Sequence, residues 1–416
     1  MSSIDLLRFL SSSFTEPIRD PLWGNIFLSP ALERLASSVP FAKLGRIKQL
    51  GPAYLVYPGA THTRRAHSIG VFHMARRLAW ALAARGELDF CTQEGLLSFL
   101  VAALCHDLGH FPYAHSLKEL PLVEHESLTA HALCSEPLRS LAREAGADPE
   151  AAAAIVDKAS KAPLSREIRF FRGLLSGVLD PDKLDYLNRD AFFCGVPYGL
   201  QDSDFVLQRL AVGSDDALSI EERGLMSVEG LLFSKYLMYR SVYWHRDVRS
   251  ATAMIKKAVL LALNEGVLKP EDLYGLDDDG FYAKLRSIAF PPFALADAVF
   301  EARIFGCVLD LPFDSGDCRH RALLDLDTRL EVEKSLAASC GQGLESLDLV
   351  IDVPEGVSFE TQLPVIGAGG TVPFPESATV FTPPVVAGFA NSLRRIRVFS
   401  RTGSARLEAA ALDRLG

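Results

Sequence analysis

The sequence is short of the features that mark disulfide-stapled, membrane-spanning or nucleic-acid-coating proteins. Its 416 residues hold seven cysteines, an odd number scattered from Cys91 to Cys340 without a CxxC pair. That usage excludes a disulfide framework and a zinc knuckle, and a cytoplasmic protein is expected. Long apolar runs are missing as well. The longest, Leu96 to Cys105, is already broken by Ser98, whereas a bilayer span needs about 20 such residues. No membrane partner is expected. The opening segment, MSSIDLLRFLSSSF, lacks the basic stretch and small-residue cleavage site of a signal peptide, and reads as mature protein. Positive charge is not in excess: 43 Lys and Arg stand against 52 Asp and Glu, a net charge of −9. No nucleic-acid signal follows from that balance, although an acidic average leaves room for a local basic pocket that takes a small polyanion.

What is present is a helical chain with a change of texture near its end. The length suits one large domain and a smaller one. From His67 to about Leu263 apolar residues recur at three- and four-residue spacing, as in HSIGVFHMARRLAWALAARG and QEGLLSFLVAALCHDLGH, and the stretch reads as all-α. Beyond about residue 300, LDLVIDV and RRIRVFS look like strands, with a Gly/Pro-rich region from Gly367 to Pro384 between them. The expected fold class is mainly α. Residues 1–300 form the helical domain with its lead-in, which turns at Arg19-Asp20-Pro21, and 301–416 a smaller α+β region.

Eight of the ten histidines fall between His62 and His131, about a sixth of the chain. Such density suggests metal ligation or proton transfer near neutral pH. For His62, His73 and His131 a packed or surface role is the better reading. The pair His106-Asp107 closes an apolar helix, where an aspartate is costly to bury unless something such as a divalent cation meets its charge. Imidazole with carboxylate suits Mn or Fe, and Mg less well. His110, four residues on, is expected on the face of His106, with His115 on the following turn. Downstream, LDPDKLDYLNRD sets Asp182, Tyr186 and Asp190 four apart on one helical face, behind the helix start Asp180-Pro181. Lys183 and Arg189 offer charge to phosphate, and a surface pair of Asp185 with Arg189 explains the arginine equally well. Arg394, Arg395 and Arg397 read as a solvated basic strand.

PGATHTRRAHSIGV, CHDLGHFPYAH, EHES, LDPDKLDYLNRD and VYWHR, in that order, resemble the HD-domain deoxynucleoside-triphosphate triphosphohydrolases, the group that includes the vertebrate sterile-alpha-motif/HD-domain enzyme. IRDPLWGNIFLSP, RIKQLG, VIDVP and RRIRVF extend the likeness over roughly residues 16 to 400. The resemblance implies a helical HD-domain core and a divalent metal (Mn, Fe or Mg, with Co or Ni as further candidates) on His67, His106, Asp107 and Asp182. It implies catalytic roles for His115, His110 and His125. Phosphates would meet Arg64, Lys183 and Lys235, and the sugar Gln49, Leu50, Tyr186, Asp190 and Tyr243. A nucleotide substrate and a homo-oligomer are implied as well. Two departures stand out. The residues of the family's guanine-nucleotide regulatory site are replaced by Glu16, Ser37, Ala42 and Gly45, so GTP-type activation is not expected. Lys118 stands where an acidic residue is usual. Alternatives left open are an HD-type phosphomonoesterase or phosphodiesterase for another nucleotide, and a non-catalytic nucleotide-binding protein.

Overall fold

The computed structural model describes residues 2–160, 163–213, 216–340 and 343–416. After a short N-terminal helix, the hairpin β1 (Glu16–Asp20) and β2 (Gly24–Leu28) leads into helices. The helix Arg64–Ala84 starts where the Thr63 hydroxyl accepts from the Ala66 amide, and the helix Gln93–Cys105 where Thr92 does the same for Gly95. In the second, every residue from Gly95 to Cys105 is buried, the condition for a helix that is apolar on all sides. It is the axis of the main core. The helix Pro181–Cys194 begins as its sequence suggests, with Asp180 as cap and proline in the first turn, and it packs along Arg64–Ala84. Gly70 permits that approach. A Cβ there would strike the side chains of Asp185 and Arg189.

The helix Leu225–Met238 continues into a π-helical turn, Tyr239–Tyr243, before the long helix Arg246–Asn264. Wide turns of this kind are frequent at functional sites, and this one carries two tyrosines. A second core forms around Arg246–Asn264 and the residues that follow, reaching Phe111, Leu117 and Leu120.

Strand β3 (Leu210–Val212) pairs antiparallel with β4 (Leu218–Glu221), so the stretch read as all-α contains a short hairpin. Three- and four-residue strands are too brief for alternation to emerge from sequence. Towards the C-terminus come β5 (Gly306–Pro312), β6 (Leu349–Asp352), β7 (Pro364–Gly367), β8 (Gly370–Pro373) and β9 (Arg395–Ser400). Strand β7 runs parallel to β4 and antiparallel to β8, which brings the Gly/Pro-rich region back onto the main core. Strands β5, β9 and β6 form a separate antiparallel sheet backed by the helices Leu326–Cys340 and Ala405–Leu415. Mainly α with a small α+β part is the class observed. Strand β9 is the central strand and is not solvated: Arg395 and Arg397 pair with Asp310 on β5, and Arg394 donates to the Pro354 carbonyl. All seven cysteines are free. No helix among the described residues is long and apolar enough to cross a membrane.

Candidate active site

Between the main and second cores lies a cavity of about 520 Å³, within the range of small-molecule sites. On its floor four side chains converge. His67 Nε2 lies 3.0 Å from Asp182 Oδ1, and His106 Nε2 lies 3.3 Å from Asp107 Oδ1 and 3.8 Å from Asp182 Oδ1. Ligand atoms of His67, His106 and Asp107 all fall within 4.8 Å of one another.

Both imidazoles are oriented from behind. His106 Nδ1 donates to the Ala103 carbonyl at 3.0 Å, and its Nε2 is buried without a hydrogen-bond partner. His67 Nδ1 donates to Asp185 Oδ2 at 2.9 Å. A histidine fixed through one nitrogen by carbonyl or carboxylate, with the other nitrogen aimed at carboxylates, is the arrangement that ligates metals. Burial opposes charge on His67, yet its bonds to Asp182 and Asp185 carry its pKa up to about 10, so the spot favours a positive charge. The donor set fits a divalent cation.

Asp185 is a participant the sequence reading missed. The pair with Arg189 is not on the surface, because both side chains are fully buried. The guanidinium donates to both Asp185 oxygens at 2.8 and 2.9 Å and to Asp20 at 2.9 Å, and Trp23 Nε1 adds a bond to Asp185 at 2.6 Å. Behind each of the two histidines there is thus a fixed acceptor. The available signal was an acidic residue one helical turn after Asp182.

The turn carrying His106 and Asp107 differs in detail from expectation. The helix ends at Cys105, so His110 does not return to the face of His106. Gly109 packs so tightly against the backbone of helix His125–Leu133 that a Cβ would collide with it. Thr129 on that helix accepts from the Gly109 amide at 2.8 Å and donates to the His106 carbonyl at 3.0 Å. Lys43 donates to the carbonyls of Leu108 and His110, at 3.1 and 3.0 Å. His110 ends up buried behind the cavity wall, with Nδ1 3.3 Å from Asp107 and Nε2 3.1 Å from His115 Nε2. His115 and His125 line the cavity itself. The surrounding protein and then Arg64 push the His115 pKa down, which favours the neutral ring, although the side chain stays open to the cavity.

Arg64 donates to Asp107 at 2.8 Å, and its Nε is buried without a partner. Gln49 and Leu50 reach the cavity because residues 47–50 run back along 62–64 through the Lys48–Thr63 bridge. Tyr186, Asp190 and Tyr243 share one wall. Asp190 accepts from Tyr243 at 2.7 Å and from His62 at 2.8 Å, so His62 is a buried support. His73 is likewise half-buried against Trp23, and His131 is exposed. Lys183 and Lys235 are near but do not line the cavity. Residues Ser358 to Glu360 hold them: Lys235 donates to the Ser358 carbonyl, and Glu360 contacts both lysines. Lys118 is half-exposed and pairs loosely with Glu124, while its neighbour Glu119 is committed to Lys256 and Arg329.

Residues 64–168 match the family model of the HD domain, and residues 202–380 that of the HD associated region. The chain carries an HD domain. Three of the four convergent side chains, His67, His106 and Asp107, lie within the HD domain match, and Asp182 follows it. An uncharacterized protein of Methanocaldococcus jannaschii is 32% identical over 272 residues, covering 65% of this chain and 54% of that protein. The human deoxynucleoside triphosphate triphosphohydrolase SAMHD1 is 27% identical over 310 residues, 66% of this chain and 50% of that enzyme. The chain thus spans about half the length of these relatives. A hypothetical protein from Aquifex aeolicus has a solved structure that superposes with a TM-score of 0.72 at 25% identity, over 96% of this chain and 99% of that one.

Proposed function

We propose that this HD-domain protein is a metal-dependent phosphohydrolase that cleaves deoxynucleoside triphosphates to deoxynucleoside and inorganic triphosphate. The observation carrying this reading is the convergence of His67, His106, Asp107 and Asp182 on the floor of a nucleotide-sized cavity that His115 also lines. The likeness to the human enzyme supports the choice of substrate. A divalent cation held by the four residues, with Mn, Fe or Mg ahead of Co or Ni, would supply Lewis-acid polarisation of the α-phosphorus.

The chain's own groups do the rest. Arg64 orients Asp107 and keeps its buried Nε for a phosphate oxygen. His115 is neutral until a polyanion arrives. Negative charge beside it raises its affinity for a proton, which it then gives to the departing 5′-oxygen. His110 steadies that ring from behind, and His125 flanks it at 5.2 Å between ring centres. Tyr243, fixed by Asp190, and Tyr186 border the sugar. Leu50 presents no polar partner to a 2′-hydroxyl, so a ribose pays a desolvation penalty there that a deoxyribose avoids. A homo-oligomer, a cytoplasmic location and independence from GTP belong to the same reading.

The test is incubation with each dNTP and rNTP in the presence of Mn, Mg, Fe or Co and without GTP, with products resolved chromatographically. Release of deoxynucleoside with intact triphosphate is the expected result. Stepwise loss of phosphate, or turnover of ribonucleotides alone, overturns the proposal.

A further inference from the structure

Buried cations in this chain are mostly matched by buried anions. Arg189 faces Asp185, Arg249 faces Asp352 and Lys257 faces Glu333, and each of these carboxylates is itself buried. That is the economical arrangement, since a desolvated charge needs a fixed partner. Lys183 follows the rule through Asp180, 2.6 Å away. Lys235 does not. Its side chain is 7% exposed, yet its one carboxylate partner among the described residues is Glu360, at 3.6 Å and 44% exposed. The same Glu360 oxygen lies 3.2 Å from Lys183. Two buried ammonium groups therefore converge on one carboxylate that keeps a face in water.

The segment delivering Glu360 has the build of a removable strap. It links β6 to β7 without regular structure and is anchored by buried Pro354 at one end and Phe359 at the other. Between those anchors Glu355, Gly356 and Ser358 are exposed. Pro354 to Val357 line the cavity, and the Ser358 carbonyl takes a hydrogen bond from Lys235 at 2.8 Å. The strap thus stands between the two lysines and the cavity that holds the metal ligands.

We infer that Glu360 is a built-in stand-in for the distal phosphates of the substrate: its carboxylate holds the Lys183–Lys235 pair in the resting protein, and a polyphosphate tail displaces it. The inference rests on the nucleotide reading of the cavity and adds to it a self-inhibiting, specificity-setting residue. The exchange favours a ligand whose anionic tail reaches both lysines at once, so it rewards long phosphate chains. Displacement needs only that the Glu360 side chain rotate into the water it already touches and that Ser358 release Lys235.

The experiment measures binding of inorganic tripolyphosphate by calorimetry to the wild type, Glu360→Gln and Glu355→Gln, alongside KM and kcat with dNTPs. Glu355→Gln removes the same charge from the same strap without touching the lysines. Glu360→Gln is expected to tighten tripolyphosphate about tenfold and to lower KM by a similar factor with kcat changed less than about twofold. Amide exchange over residues 355–360 is expected to speed up when tripolyphosphate binds the wild type. Unchanged or weaker binding in Glu360→Gln, or equal tightening in Glu355→Gln, overturns the inference. Tightening confined to Glu360→Gln in a protein that hydrolyses no dNTP keeps the inference and sinks the dNTP proposal. Normal turnover with an indifferent Glu360→Gln does the reverse.

Discussion

On the floor of the cavity, buried His67 is gripped by buried Asp185, and Asp185 in turn by buried Arg189 and half-buried Trp23. Behind the strap that forms the roof, Lys235 is gripped by a carboxylate that is nearly half exposed on an irregular segment, and Lys183 shares that carboxylate with buried Asp180. The chemistry demanded of each region explains the contrast. Metal ligands work best when their second nitrogens and oxygens are fixed beforehand. A phosphate site has to exchange one anion for another, and a partner fixed as firmly as Asp185 would never leave. Rigidity below and replaceability above are thus two uses of the same ion-pair physics.

The comparison is sharpened first at the ligands. His106→Ala with Asp107→Ala is expected to abolish bound metal and to cut hydrolysis by at least about 10³-fold, because several kcal/mol of transition-state stabilisation go with the cation. Metal analysis of the purified variant and product chromatography read both effects. Next comes Arg189→Met, which removes the one guanidinium that buried Asp185 and Asp20 share. A loss of about 3–5 kcal/mol in stability is expected from denaturant unfolding. If the floor tolerates that change as the roof tolerates Glu360→Gln, the contrast between the regions is wrong.

A third effect depends on pH. Burial, and then Arg77 and Arg76, lower the His73 pKa to about 4, against opposing pulls from Asp185 and Asp20. A base that is harder to protonate when folded leaves the unfolded chain binding more protons between about pH 6.5 and 4, so stability falls as pH falls through that window. At about 1.4 kcal/mol per pKa unit, the contribution is up to roughly 3 kcal/mol. His115 and His125 act in the same direction. The difference between wild type and His73→Gln in unfolding across pH 4 to 7 isolates the His73 share, and identical pH curves count against it. Smaller again is Asp185→Asn, expected to weaken metal binding about 10- to 100-fold with the fold retained, as measured by metal titration.

The floor was the legible part of the sequence and the roof was not. His67, His106, Asp107 and Asp182 lie on or next to helices whose caps and apolar spacing are local, and the family resemblance named the four as one set. Asp185 was misread because burial is a tertiary fact: nothing in the spacing of Asp185 and Arg189 distinguishes a buried pair from a surface one. The β3–β4 hairpin escaped because its outer partner, β7, arrives from far along the chain. Glu360 was out of reach for the same reason. It sits in a loop with no period, and its meaning lies in two lysines brought to it by other elements.

Lys118 provides the mildest test and bears on the wall between the two regions. It occupies a position where the resembling family has an acid, which would suggest a disturbed His115. In the structure the backing of His115 comes from His110 at 3.1 Å, itself 3.3 Å from Asp107, while Lys118 points to Glu124 at 3.8 Å with half of its side chain in water. An exposed pair at that distance contributes little. Lys118→Ala is therefore expected to shift stability by no more than about 0.5 kcal/mol and kcat by less than about threefold, whereas His110→Ala lowers kcat by well over that. Equal losses in the two variants would move the support of His115 from the buried floor to the exposed wall, and the division drawn between them would have to be redrawn around Lys118.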